Sequence, residues 1–213
     1  DTLLRHYLSP EVADAFIKGE LSLQLGGTLR EVSILFADIR GFTPLSERLR
    51  PDEVVQLLNE HLAIVADAIE EAGGIITQFQ GDNVIAIFNM SGDQPEHAEY
   101  AVKAGIAVQR ALAAYQAEIS ASARKLRFGV GINTGTVLVG NIGGNRRYSY
   151  TAIGDAVNLA ARITDATPAH QVWMGEATFQ QLPGGYRTTP LPPLKFKGKR
   201  EPAAVYAITF DEG

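Results

Sequence analysis

The stretch Phe36-Ala37-Asp38-Ile39-Arg40-Gly41-Phe42-Thr43 constrains the fold more than any other: a strongly apolar run ends in a carboxylate and turns at once through glycine. A comparable phrase, Gln80-Gly81-Asp82-Asn83, stands ahead of a second apolar run, Val84-Ile85-Ala86-Ile87-Phe88. Residues 30–38 read as a strand and 51–71 as a helix, with Val54, Leu58, Leu62, Val65 and Ile69 close to helical period. Gly73-Gly74 ends that helix. Residues 75–79 and 84–88 then read as a hairpin around Gln80-Gly81-Asp82-Asn83. If its second strand runs antiparallel to the first strand of the chain, Asp38 and Asp82 meet at one edge of the sheet. Taken singly, Asp38 is equally a helix cap and Asp82 an ordinary turn residue. Together, two acids at strand ends suggest a site for paired metal ions.

The donors available narrow the choice of metal. The chain has no cysteine, which excludes disulfides, thiolate sites and a cysteine nucleophile. His6, His61, His97 and His170 are scattered without ligand spacing and read as surface or packing residues. Carboxylate and backbone carbonyl oxygens suit magnesium or manganese better than zinc. A net charge of −5 argues against a nucleic-acid-binding surface and in favour of a small phosphorylated ligand.

A chain of 213 residues with 46% hydrophobic content can pack one sizeable domain. No apolar run is long enough to span a bilayer, and no charged-then-apolar segment opens the sequence. It begins at Asp1 rather than methionine, so the expectation is a cytoplasmic domain cut from a larger or membrane-attached protein, with an upstream sensor or regulatory domain outside it. Residues 1–27 are expected to form an amphipathic helix over 3–17 and a glycine-containing link, and residues 28–213 the functional domain.

Residues 95–123 read as a long alanine-rich helix. Residues 126–134 and 137–142 read as two strands joined by Thr134-Gly135-Thr136, and after the turn Gly143-Gly144-Asn145 a further strand covers 147–153. The order strand, helix, hairpin, helix, strand suggests an α+β fold with a ferredoxin-like, palm-like core and an added subdomain. Gly154-Asp155 opens a helix over 156–164, on which Asn158 and Arg162, four residues apart, share a face. By itself that face reads as solvated. Lys195-Phe196-Lys197-Gly198-Lys199-Arg200 concentrates positive charge beside glycine, as a solvated loop or a polyphosphate holder.

With these pieces in place, the chain resembles the catalytic domain of class III nucleotidyl cyclases. The resemblance rests on the stretch around Asp38, on Gly81-Asp82, on Val130-Gly131-Ile132-Asn133-Thr134-Gly135, on Ile153-Gly154-Asp155-Ala156-Val157-Asn158-Leu159-Ala160-Ala161-Arg162 and on Lys197-Gly198-Lys199, over approximately residues 28–210. It implies that ATP is cyclised to 3′,5′-cyclic AMP with release of pyrophosphate. It also implies two Mg²⁺ or Mn²⁺ ions held by Asp38, Asp82 and the backbone carbonyl of Ile39. The turn through Gly41, Phe42 and Thr43 would meet the β- and γ-phosphates. Arg162 would stabilise charge on the α-phosphate, Asn158 would position the ribose and Lys197 would bind terminal phosphate. Phe36, Gln80, Ala152 and Ile153 fall where the family lines its base pocket. Family members form head-to-tail homodimers, so Asp38 and Asp82 would act with Asn158, Arg162 and Lys197 of a second copy.

Two positions depart from the family's pattern: Gln78 stands where adenine-selective members carry lysine, and Gly129 replaces an arginine that some relatives use on phosphate. Thr151, at the other base-reading position, matches the aspartate or threonine such members carry there. A glutamine amide can donate to adenine N1 and can also accept from guanine N1. Guanine-selective relatives pair glutamate with cysteine, and neither is present at these positions. ATP is therefore the expected substrate. The alternatives are a guanylate or dual-specificity cyclase, and a catalytically silent nucleotide-binding module.

Overall fold

One mixed sheet of eight strands organises the computed structural model, which describes residues 27–119, 124–144, 147–196 and 201–211. The expected helix over 3–17, most of the link after it, and Lys197 lie outside these residues. In chain order the elements are β1 (Thr28–Arg40), α1 (Phe42–Ser46), α2 (Pro51–Glu71), β2 (Ile75–Gln80), β3 (Asn83–Phe88), α3 (His97–Ala117), β4 (Arg127–Gly144), β5 (Arg147–Ile153), α4 (Asp155–Ala166), β6 (Val172–Gly175), α5 (Glu176–Gln180), β7 (Arg187–Pro190) and β8 (Val205–Thr209). The strands run β2-β3-β1-β4-β6-β8-β7, with β5 paired to β4. The first four strands, taken with α2 and α3, are the ferredoxin-like core expected from the order of elements.

Alternation along β1 explains the layers. Leu35, Ala37 and Ile39 point into a core built with α2, α3 and the even-numbered residues of β3 and β4. Val32, Ile34 and Phe36 point to the other face, against Ala160 of α4 and Val137, Val139 and Ala152. A period of two then places Asp38 and Arg40 on the α4 side of the sheet.

The helix α2 has the bounds expected. Pro51 starts it, where its missing N–H costs nothing, and the Arg50 N–H donates to Glu53 Oε2 at 3.0 Å. Its buried stripe is Leu57, His61, Val65, Ala68 and Ile69, so the inward face is rotated slightly from the one read from sequence and includes His61. That histidine is a packing residue: Nδ1 donates to Leu57 O at 2.9 Å, and the Leu126 N–H donates to Nε2 at 3.2 Å.

One expectation is overturned. Residues 126–134 and 137–142 do not form two strands about a turn at Gly135; they belong to the single strand β4, which pairs with β1 without a register break from Arg127 to Val139. Gly135 mimics a turn in sequence but answers to packing, because a Cβ there would lie 2.7 Å from Ala156 Cβ on α4. Glycine permits the close approach of helix to strand.

Candidate active site

The two acids converge as the hairpin reading required. β3 is antiparallel to β1 with Asp38 opposite Asn83, and Gly81-Asp82 forms the two-residue tip between β2 and β3. They meet at the ends of interior strands rather than on an edge strand. The Ile39 N–H donates to Asp82 O at 3.1 Å. In a strand, N–H and C=O of one residue address the same neighbour, so the Ile39 carbonyl also faces the Asp82 turn.

Two rungs of the sheet lie side by side on the α4 face. One carries Gly129, Asp38, Asn83 and Gln80; the next carries Gly131, Phe36, Ile85 and Gln78. Phe36 is buried, whereas Gln78 and Gln80 are exposed. The structure thus places Phe36 and Gln78 one rung from Asp38, and Gln80 on the rung of Asp38 itself. A bulge between Ile76 and Gln78 sets the register that brings Gln78 opposite Ile85.

The electrostatics suit a cation. Burial first, and then the charge of Asp82, pushes the Asp38 carboxyl up from its ordinary value, while Arg40 pulls the other way. Asn83 Oδ1, beside Asp38, is a buried acceptor with no partner. Two repelling carboxylates, an orphaned amide oxygen and the Ile39 carbonyl facing the Asp82 turn make an all-oxygen donor set of the kind hard divalent cations take. Among the described residues no group of three or more histidines and acids converges, so a cation here would complete its shell from backbone, water or ligand oxygens.

Gly41 opens on a cavity of about 530 Å³ lined by Arg40, Arg48, Lys125, Arg127 and His170 over a floor of Leu45, Leu49 and Leu126. It has no carboxylate in its wall. Gly41 and Thr43 are exposed and Phe42 is half-buried against the core. The arginines and the lysine come from distant parts of the chain, and only Arg40, within the Asp38 stretch, carried a local signal.

The remaining site residues do not join this cluster within one chain. Asn158 and Arg162 are exposed on the side of α4 opposite the buried Ala160, Ile163 and Thr164. Arg162 lies over the Phe196 ring, 5.3 Å from its centre, next in sequence to Lys197. Thr151, Ala152 and Ile153 pair with Gly140, Val139 and Leu138, which places Ala152 on the rung of Thr28. That is ten residues along β1 from Asp38, roughly 30 Å at strand rise. Within the same chain, however, β5 also comes close to β2, the strand of Gln78.

The sequence model described as the adenylate and guanylate cyclase catalytic domain matches residues 27–209. Adenylate cyclase 1 of Rhizobium meliloti (strain 1021) is 34% identical over 197 residues, covering 90% of this chain and 30% of that protein. An adenylate cyclase of Anabaena cylindrica is 34% identical over 202 residues, covering 90% of this chain and 39% of its own length. The chain thus spans well under half of these relatives. Among solved structures, the adenylyl cyclase CyaB from P. aeruginosa aligns with a TM-score of 0.80 at 30% identity, over 88% of this chain and 97% of that one. The guanylyl cyclase Cya2 aligns with a TM-score of 0.76 at 35% identity, over 86% and 93%.

Proposed function

Because the chain belongs to the adenylate and guanylate cyclase catalytic-domain family, class III, we propose that it is an adenylate cyclase working at sites shared between two copies. The observation that carries the reading is the pair of adjacent rungs, with Asp38 on one and Phe36 and Gln78 on the next. A nucleotide whose phosphates reach the Asp38–Asp82 end has its base within reach of the second rung.

Divalent cations bound by Asp38, Asp82 and the Ile39 carbonyl would supply charge neutralisation for a triphosphate and acidify the attacking hydroxyl. The chain's own groups do the rest. The turn through Gly41, Phe42 and Thr43, with the cationic cavity behind it, receives the β- and γ-phosphates. Asn158 of a second copy orients the ribose, so that the 3′-hydroxyl oxygen bonds to the α-phosphorus as the bond to the β-phosphate's bridging oxygen breaks. The hydroxyl proton departs and pyrophosphate leaves. Arg162 of that copy balances charge on the α-phosphate, and Lys197 holds the terminal phosphate. The base lies among Phe36, Gln78, Gln80, Thr151, Ala152 and Ile153.

The outward placement of Asn158 and Arg162 supports the two-copy site. For adenine, the neutral, exposed Gln78 on the base rung, with no carboxylate beside it there, favours a donor to N1 over a reader of guanine's N–H groups. The experiment is direct: the purified chain is incubated with Mn²⁺ or Mg²⁺ and either ATP or GTP, and products are identified. Cyclic AMP and pyrophosphate are expected. Cyclic GMP as the main species would replace the adenine assignment by the guanine one, and tight binding without turnover would make the chain a regulatory module.

A further inference from the structure

Arg40 is heavily engaged near the site, and a place in the cavity wall behind Gly41 does not account for its three hydrogen bonds. It shares the α4 face of β1 with Asp38, two residues away. Its Nη1 donates to Asp38 Oδ2 at 2.9 Å, its Nε donates to Thr167 O at 2.8 Å, and its Nη2 donates to Thr164 O. Both carbonyls belong to the C-terminal end of α4, where positive charge is favoured, and the Thr164 carbonyl also accepts the Thr167 N–H at 3.0 Å. The guanidinium therefore spans three acceptors on two elements, as its planar fork permits and an ammonium does not.

The strand beneath makes room for it. Gly129 pairs with Asp38 on β4, and a Cβ there would lie 2.9 Å from both Nε and Nη2 of Arg40 and 2.7 Å from Thr167 O. Real Cβ atoms do not approach so closely, so any other residue at 129 would displace the guanidinium from its course across β4 to α4.

We propose that Arg40 is a positioning residue for Asp38, and that Gly129 is the clearance it requires. The arginine occupies Oδ2 from a fixed anchor on α4 and leaves Oδ1 for a divalent cation. An oriented carboxylate of this kind is what a metal ligand gains from a hydrogen-bonded partner, and loss of such a partner typically weakens metal affinity about 10- to 100-fold. The inference rests on Asp38 being a metal carboxylate.

Calorimetric binding of 2′,3′-dideoxy-ATP with Mn²⁺, a pair that cannot react for want of a 3′-hydroxyl, tests both levels. Wild-type binding that Asp38→Asn leaves unchanged, or no wild-type binding, sinks the metal reading itself. With Asp38→Asn impaired, Gly129→Ala decides the brace, because it alters no charge and crowds only Arg40 and the Thr167 carbonyl that Arg40 holds. It is expected to weaken the Mn²⁺-dependent affinity about 10-fold. Arg40→Lys, which keeps the charge and loses the fork, should do the same. Adding Gly129→Ala to Arg40→Ala should cost less than about twofold more, since the two act on one contact. Melting temperatures are recorded for all variants. Additive losses, or a lower melting temperature with unchanged affinity in Gly129→Ala and Arg40→Lys, would show a purely structural contact and overturn the proposal.

Discussion

Ile39 gives its amide hydrogen to the Asp82 carbonyl across 3.1 Å, so the end of β1 and the tip of the β2–β3 hairpin are held as one unit that carries both acids. The repulsion between those acids costs stability in the metal-free protein. A carboxyl with raised proton affinity in the fold is most favourable when protonated, and its contribution declines as pH rises from its unfolded value through the raised one. At neutral pH, Asp38→Asn is therefore expected to raise the melting temperature in EDTA slightly while cyclase activity falls on the order of 10³-fold. Thermal denaturation and a cyclic-nucleotide assay on the same preparation check the two halves.

Shared sites predict complementation. Asp38→Asn and Arg162→Ala proteins, each inactive alone, should recover activity when mixed, since a heterodimer regains one full site of two. Random pairing makes half the dimers mixed, for a ceiling of roughly a quarter of wild-type activity. No recovery from a sample in which heterodimers are demonstrated by differential tagging would defeat the two-copy arrangement.

Base choice should respond to Gln78. Gln78→Lys is expected to raise kcat/KM for ATP relative to GTP by about 10-fold, and Gln78→Glu to move the ratio toward GTP by a similar factor, the range one base-reading hydrogen bond commands. Competition between the two nucleotides in one assay gives the ratio directly. If neither variant moves it, the second rung does not read the base.

The cavity behind Gly41 predicts a salt-sensitive contribution to phosphate binding. Arg127 Nη2 lies 3.8 Å from where a Cβ on Gly41 would sit, and the wall around it is cationic. Arg127→Ala should raise KM for the triphosphate about 3- to 10-fold at low ionic strength and less at 0.5 M salt, with kcat nearly unchanged.

His61 predicts acid sensitivity. Burial pushes its imidazole down from 6.5, and its two partners fix one neutral tautomer. The stability this group contributes is complete above pH 6.5 and is lost as pH falls from there through the lowered folded value, because the unfolded chain takes up the proton first. The urea midpoint should fall between pH 7.5 and pH 5.5, and fall less in His61→Gln. Equal losses in both proteins would assign the effect elsewhere.

The acid pair was legible from sequence because a two-residue hairpin leaves little choice of register, and antiparallel pairing then sets Asp38 opposite Asn83. The helix α2 was legible because proline, period and glycines agree. β4 was misread because Gly135 carries the mark of a turn while serving α4, a contact 21 residues away in sequence. The brace on Asp38 was invisible for the same reason: Arg40, Gly129 and Thr167 are adjacent only in the folded chain. The departure at Gly129 was noticed as a missing arginine, and the structure shows another arginine, Arg40, crossing the space left by it.

An unbroken β4 also limits how the domain can vary. One strand runs from the rung of Asp38 to the hairpin carrying Thr151, so inserting one residue would turn every later side chain to the wrong face. Inserting two would restore the faces yet slide the hairpin by about 7 Å. The strand serves as a gauge of fixed length between two working ends, and drift in its length is penalised even where no residue touches a ligand.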